Sequence, residues 1–473
     1  MSVFTHQTTL RAFSLMGAIA LLSSCNMPEA PRAVEQPGGT GADPAAGTAD
    51  VIYSNGTILT MDPARPTADA LAILDHEVLA VGTFDEVSST RGEGTRMIDL
   101  SGRTMMPGFV DTHSHIALWA QSDEDFFNMQ ADMLRGGVTT TTEMGVTPEI
   151  LDKLIHYETV RGLRLRFNTY LLYNTNCGEP FDPEWYKSRP PREDVTAHIR
   201  NQGVKVFTDG GSCNAPAVSF EYPGGYGQGD LYMTQEEMNQ VAAQIDADGY
   251  QLAVHALGDR AIEQVMNAIE AALAGGPNTL RHRIEHNGVV RPDMAARYGQ
   301  IDIVPVISGA YSTCLRFNPG TTMRYIVPDE FGTYEWAYRS ILDASPGVHA
   351  AWHVDWPVPV VQHFDAMQNL YGFVTRNEVA EDGHLCEAPD FLKAGALTAG
   401  EALQIMTMGS AYALFREDEI GSLETGKLAD LVILSDNPLQ VPAESIKDIH
   451  VVMTMIDGNA EYCAEGSERF CPP

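Results

Sequence analysis

Positive charge is scarce in this chain of 473 residues: 30 lysines and arginines stand against 63 aspartates and glutamates, a formal charge of -33. A surface of that sign repels phosphate backbones, which argues against nucleic acid as a partner, while an acidic solvated face is accommodated. A phosphate loop is also missing. Gly224, Gly225, Gly227 and Gly229 fall in an aromatic stretch with no helix cap behind them, which argues against a nucleotide-binding or kinase-like chain. The apolar run Ala12 to Leu22 is too short to span a bilayer as a helix. No internal repeat or low-complexity array is present. What remains is ordinary globular composition, 44% hydrophobic and 20% charged with five Trp, in a length that suits a barrel of roughly 250 to 400 residues plus a smaller domain.

The first 24 residues read as a leader. Arg11 supplies a basic start, the apolar run follows, and Leu22-Ser23-Ser24-Cys25 resembles a bacterial lipobox. On that reading Cys25 is the lipid-modified first residue of an exported protein, anchored to a bacterial membrane and facing the periplasm or exterior. A plain cleaved signal is the alternative. Residues 25–49, rich in Pro, Ala and Gly, read as a disordered tether.

Two strand-rich stretches flank a long middle. VIYSNGTILTMD, with its Asn55-Gly56 hairpin signal, opens residues 50–106; GSLETGKLADLVILSD and IHVVMTMIDGNAEY fill 418–465, followed by a tail at 466–473. One β domain assembled from both chain ends is expected. Between them, over 107–417, eight short apolar runs alternate with helical patterns: GFVDTHSH, GVTTTTEMG, LRLRFNTYLLY, GVKVFTDGG, QLAVHALGD, RHRIEHNG, IDIVPVI and GVHAAWHVDWPV. Eight βα units predict a (β/α)8 barrel. Thr234 with Glu237 and Thr398 with Glu401 make capping boxes, and Asp259 is placed to cap a helix whose Ile262, Val265, Met266 and Ile269 share a face. Six cysteines remain after Cys25. Cys463 and Cys471 are close enough in sequence to pair, Cys177 and Cys213 would both sit in loops on one barrel face, and other pairings stay open.

Residues able to bind a metal gather at the C-terminal ends of these strands, the face that carries barrel active sites. His113 and His115 end the first strand one residue apart, so a period of two turns both inward. Lys205 ends the fourth strand, His255 the fifth, His286 the sixth and Asp355 the eighth. Asp111 shares the face of His113 and reads as a supporting hydrogen-bond partner. His353 shares the face of Asp355, either as an additional proton carrier or as a packed core histidine. Tyr311, Tyr325, Phe331, Trp336 and Tyr338, on the long connection before the eighth strand, suggest an aromatic wall over the site.

These motifs resemble the amidohydrolase superfamily, and more closely its YtcJ-like branch. The likeness rests on PGFVDTHSH at 107–115, VKVFTDGG at 204–211, HALGDRAI at 255–262, RIEH at 283–286, VDWPV at 354–358, LTAGEALQIMT at 397–407 and GSLETGKLADLVIL at 421–434. The resemblance implies a distorted (β/α)8 barrel with a composite β-sandwich. It implies one divalent metal, expected to be zinc, on His113, His115 and Asp355, and a second on His255 and His286, with Lys205 bridging them as a carbamate. It further implies a hydrolase of a small molecule that attacks a non-peptide C–N bond, an amide, cyclic amide or carbamate, with Asp355 as the proton carrier. The same centre could serve a lactone, ester or phosphotriester, and a metal-holding binding protein without turnover is the third reading. Relatives tend to carry Gly and Ser where this chain has His353 and Val354.

Overall fold

The computed structural model describes residues 47–309, 313–314, 327–358, 364–380 and 382–472. Cys25, the leader, the tether up to residue 46, Tyr311 and Tyr325 lie outside the described residues.

Five strands open the described chain: β1 (Val51–Leu59), β2 (Thr67–Leu74), β3 (Glu77–Gly82), β4 (Arg96–Asp99) and β5 (Thr104–Pro107). Eight more follow with helices between them: β6 (Phe109–Val110), β7 (Val138–Val146), β8 (Arg166–Leu172), β9 (Ile199–Phe207), β10 (Gln251–Ala256), β11 (Arg283–His286), β12 (Val304–Ile307) and β13 (Ala351–Trp352). A short antiparallel pair, β14 (Glu378–Val379) and β15 (Leu385–Cys386), precedes the last three strands, β16 (Leu431–Leu434), β17 (Val451–Ile456) and β18 (Asn459–Cys463).

Strands β6 to β13 lie side by side in chain order, every neighbouring pair parallel. Each overlaps one of the eight apolar runs read from the sequence. The seam between first and last strand is bridged beyond their ends: Thr112 N donates to Trp352 O (3.0 Å), Asp355 N to His113 O (2.8 Å) and His115 N to Trp356 O (2.9 Å). Such strands are covered on both faces, by the filled interior and by helices, and β10 is buried at every residue. Helix Asp259–Leu273 buries Ile262, Val265, Met266 and Ile269 against the barrel, and both predicted capping boxes form, on helices Gln235–Ala247 and Ala399–Gln404. One cap differs. Gly258 occupies the cap of helix Asp259–Leu273, and Asp259 is its first helical residue, where it accepts from Ser219 N (2.8 Å) and pairs with Arg291 (3.2 Å). The free amides of Leu257 and Gly258 go instead to Asp209, at 3.1 and 2.8 Å.

The terminal strands form one hydrogen-bonded sheet, ordered β18-β17-β16-β5-β1-β2-β3 with β4 also on β1, the β domain expected from both chain ends. β1 carries a register shift between Ser54 and Ile58; β4 pairs with Val51–Ser54, and β5 with Thr57 and Ile58, so one strand serves two partners in succession. β5 joins β16 antiparallel, uniting the two ends of the chain. Arg166, at the start of β8, donates to Asp430 Oδ2 (2.7 Å) and contacts Asp457, tying the barrel to this sheet. Three cystines are present: Cys177–Cys213 and Cys463–Cys471, the two pairs favoured by sequence, and Cys314–Cys386. Among the described residues, no helix is long and apolar enough to cross a membrane.

Candidate metal centre

Backbone geometry concentrates donors at the C-terminal mouth of the barrel. His286 and Asp355 leave their strands with φ of +72° and +59°, a left-handed turn that non-glycine residues rarely adopt and that clusters at functional sites. Two groups result. Ligand atoms of His113, His115 and Asp355 lie within 4.8 Å of one another, and so do those of His286, His353 and Asp355. Asp355 Oδ1 is 3.3 Å from His115 Nε2 and 3.5 Å from His113 Nε2, while its Oδ2 is 3.9 Å from His286 Nδ1.

The imidazoles are oriented from behind. His113 Nδ1 is 2.7 Å from Glu285 Oε2, and Arg283 clamps that carboxylate through Nε to Oε1 (2.6 Å) and Nη2 to Oε2 (2.8 Å). A paired carboxylate accepts, so Nδ1 carries the hydrogen and Nε2 turns its lone pair into the site. His115 does the same through Nδ1 to Met144 O, at 3.2 Å. His255 is inverted. Its Nε2 is 2.9 Å from Gly210 O, which can only accept, so Nδ1 is the nitrogen left to coordinate. The ring of His255 stands 4.6 Å from that of His286. Burial, reinforced by the Lys205 cation beside it, holds His113 well below the usual histidine range. Burial does the same to His286, with His255 next in weight, and takes His255 down to about 3 and His353 to about 4. All four rings are therefore neutral near pH 7, the form a metal binds.

Lys205 is buried, its Nζ has no hydrogen-bond partner, and burial lowers its ammonium to about 8. The Phe207 ring lies 4.7 Å from Nζ, and the lowered basicity brings the neutral amine within reach near neutral pH. Burial would raise Asp355, but His115, His353 and Lys205 together bring it below its ordinary value, so it is ionised. The donor set, neutral nitrogens with one carboxylate, suits zinc.

The structure thus brings His113, His115, His286 and Asp355 together, places His255 beside His286, and buries Lys205 close enough to bias their ionisation. His353 lies beside them, its ring 5.4 Å from that of His113 and 5.0 Å from that of His286. Asp111 serves the frame, accepting from Val354 N (2.9 Å), Ser114 Oγ (2.6 Å) and Thr141 Oγ1 (2.7 Å).

Sequence reasoning passed over Arg283, Glu285 and Glu143. The first two carried a signal, opposite charges two residues apart and so on one face of a buried strand. Glu143, pushed up to about 7 by burial, accepts from Ala117 N (2.8 Å) and Leu118 N (3.0 Å), fixing the short helix Ile116–Trp119 that follows the histidine pair. The expected aromatic wall is changed. Phe331 stacks on Phe220 (4.5 Å) and Tyr338 is buried in the main core, because both find apolar neighbours within the protein.

Residues 120–462 match the amidohydrolase family. The chain is 23% identical to the protein LONG AFTER FAR-RED 3 of Arabidopsis thaliana, over 89% of this chain and 92% of that one. It is 26% identical to the N-substituted formamide deformylase of Arthrobacter pascens (57% of this chain, 47% of the relative) and 24% to the amidohydrolase YtcJ of Bacillus subtilis (56% and 48%). In structure it is similar to a metal-dependent hydrolase of Pyrococcus horikoshii, with a TM-score of 0.66 at 18% identity over 83% of this chain and 99% of the other. With a matching family region spanning most of its length, laid over a (β/α)8 barrel that closes on five histidines, a lysine and an aspartate, this chain belongs to the amidohydrolase family of hydrolases.

Proposed function

We propose that this protein hydrolyses a non-peptide C–N bond of a small molecule, an amide, formamide, cyclic amide or carbamate, using divalent metal, zinc in the first instance. The observation that carries the reading is the pair of inward Nε2 atoms of His113 and His115 within 3.5 Å of one Asp355 oxygen, each ring steered by a hydrogen bond from behind. His113, His115 and Asp355 would hold one ion and His255 and His286 a second, with Lys205 between them as a carbamate. Bound there, the metal supplies Lewis acidity toward a carbonyl and lowers the pKa of a water molecule. Asp355 takes up a proton on a carboxylate oxygen and returns it to the departing nitrogen, which leaves as a neutral amine. Glu285 and Arg283 keep His113 in one tautomer throughout, and Glu143 keeps Ile116–Trp119 in place at the mouth. The similarity to a formamide deformylase makes N-substituted formamides the first substrates to try. Export behind the leader and attachment through Cys25 complete the proposal.

The test is zinc content per chain together with hydrolysis of N-substituted formamides, N-acyl anilides, carbamates and aryl esters, for wild type and Asp355→Asn. Turnover of C–N substrates that falls about 10²- to 10⁴-fold in the variant, with metal retained, supports the reading. Preference for esters over every amide would replace the bond type, and a metal-free protein would refute the mechanism.

A further inference from the structure

We infer that His353 is a metal ligand, adding its imidazole to the cation position shared by His286 and Asp355; this rests on the metallohydrolase reading above. Strand eight then mirrors strand one, with donors at 353 and 355 facing donors at 113 and 115 across the seam.

Three observations carry the assignment. A ligand atom of His353 lies within 4.8 Å of one from His286 and one from Asp355, as compact a group as the pair of strand-one histidines makes with Asp355. The two oxygens of Asp355 divide between these groups, Oδ1 toward His113 and His115, Oδ2 toward His286. The backbone that presents His353 is fixed: its N–H donates to Ile307 O at 3.0 Å, and Val354 N is held by Asp111 at 2.9 Å. A histidine packed only as core would keep its ring among apolar side chains. Here the ring is fully buried and lies against two further imidazoles, those of His113 and His286. His255, with Nε2 committed to Gly210 O, keeps Nδ1 for the same position.

The mature chain, purified as wild type, His353→Asn and His353→Asp, would be titrated with zinc against a competing chelator, with metal counted per chain and the cobalt-substituted absorption spectrum recorded. Asparagine keeps the site polar and near the same size; aspartate restores an oxygen donor. The expected result is one zinc ion bound about tenfold or more weakly in His353→Asn, a changed cobalt spectrum, and partial recovery in His353→Asp. The metal-free melting temperature separates packing from ligation. Wild-type zinc affinity and an unchanged cobalt spectrum in His353→Asn, even with lowered melting temperature, overturn the inference while leaving the metallohydrolase intact. Failure of the wild type to bind zinc refutes both together.

Discussion

The two ends of the barrel bury ionisable side chains to opposite effect. At the N-terminal end Arg166 meets Asp430, Arg200 meets Glu419 at 2.8 Å, and Arg416 meets the same glutamate at 2.8 Å, so each cation has an acidic partner. At the C-terminal end His113, His115, His286 and His353 gather donor atoms around Asp355, and the buried Lys205 has no hydrogen-bond partner. Matched pairs hold domains in register, and Arg166 reaches from a barrel strand to the terminal sheet. Unmatched lone pairs store a demand for a cation, and they are kept in place by a matched pair one layer back, Arg283 with Glu285. The same residue types thus build a joint at one end and a binding site at the other, according to whether the protein supplies the partner.

Acidification should strain this contrast most. His255 is held near 3 and His353 near 4, against an ordinary value of about 6.5 in the unfolded chain. Below that value the unfolded chain binds protons that the folded one refuses, so their contribution is complete above pH 6.5 and is lost as pH falls toward 3. Metal-free protein should lose stability steadily across that window in urea titrations. His255→Asn should flatten the slope between pH 6.5 and 5 relative to wild type; an unaltered slope would mean that His255 is not its source.

At the other end, Arg166→Ala strands Asp430 in a buried position. A loss of about 3 to 5 kcal/mol is expected in urea unfolding, with zinc content unchanged. Zinc lost along with stability would show that the two ends are not separable. The smallest effect is expected one layer behind the metal. Glu285→Gln keeps the shape but frees the tautomer of His113, and zinc affinity should fall about 10- to 100-fold, beside a loss of stability from leaving the buried Arg283 without its counter-charge. If affinity is untouched, the steering role of Glu285 is wrong.

Much of this was legible without coordinates. The eight barrel strands announce themselves because buried parallel strands are short apolar runs, and the positions of His113, His115, Lys205, His255, His286 and Asp355 at run ends follow from the barrel's polarity. Capping boxes were readable because their chemistry is local. Asp259 shows the limit of local reading: its spacing suits a cap, yet Asp209, 48 residues before Leu257 in sequence, takes the free amides. The pairing of Cys314 with Cys386 was equally out of reach, since 72 residues separate them and only folding brings their Cα atoms to 5.1 Å.

The sequence by itself determined the class of fold, the face on which chemistry sits and the residue types that do it, because strand period and strand polarity are local properties of the chain. Tertiary structure alone decided which nitrogen of each histidine faces inward, that Glu285 and Arg283 stand behind His113, that His353 lies beside His113 and His286, and that the terminal strands merge into one sheet. Those outcomes depend on contacts across the barrel and between chain ends, over separations at which sequence spacing carries no distance.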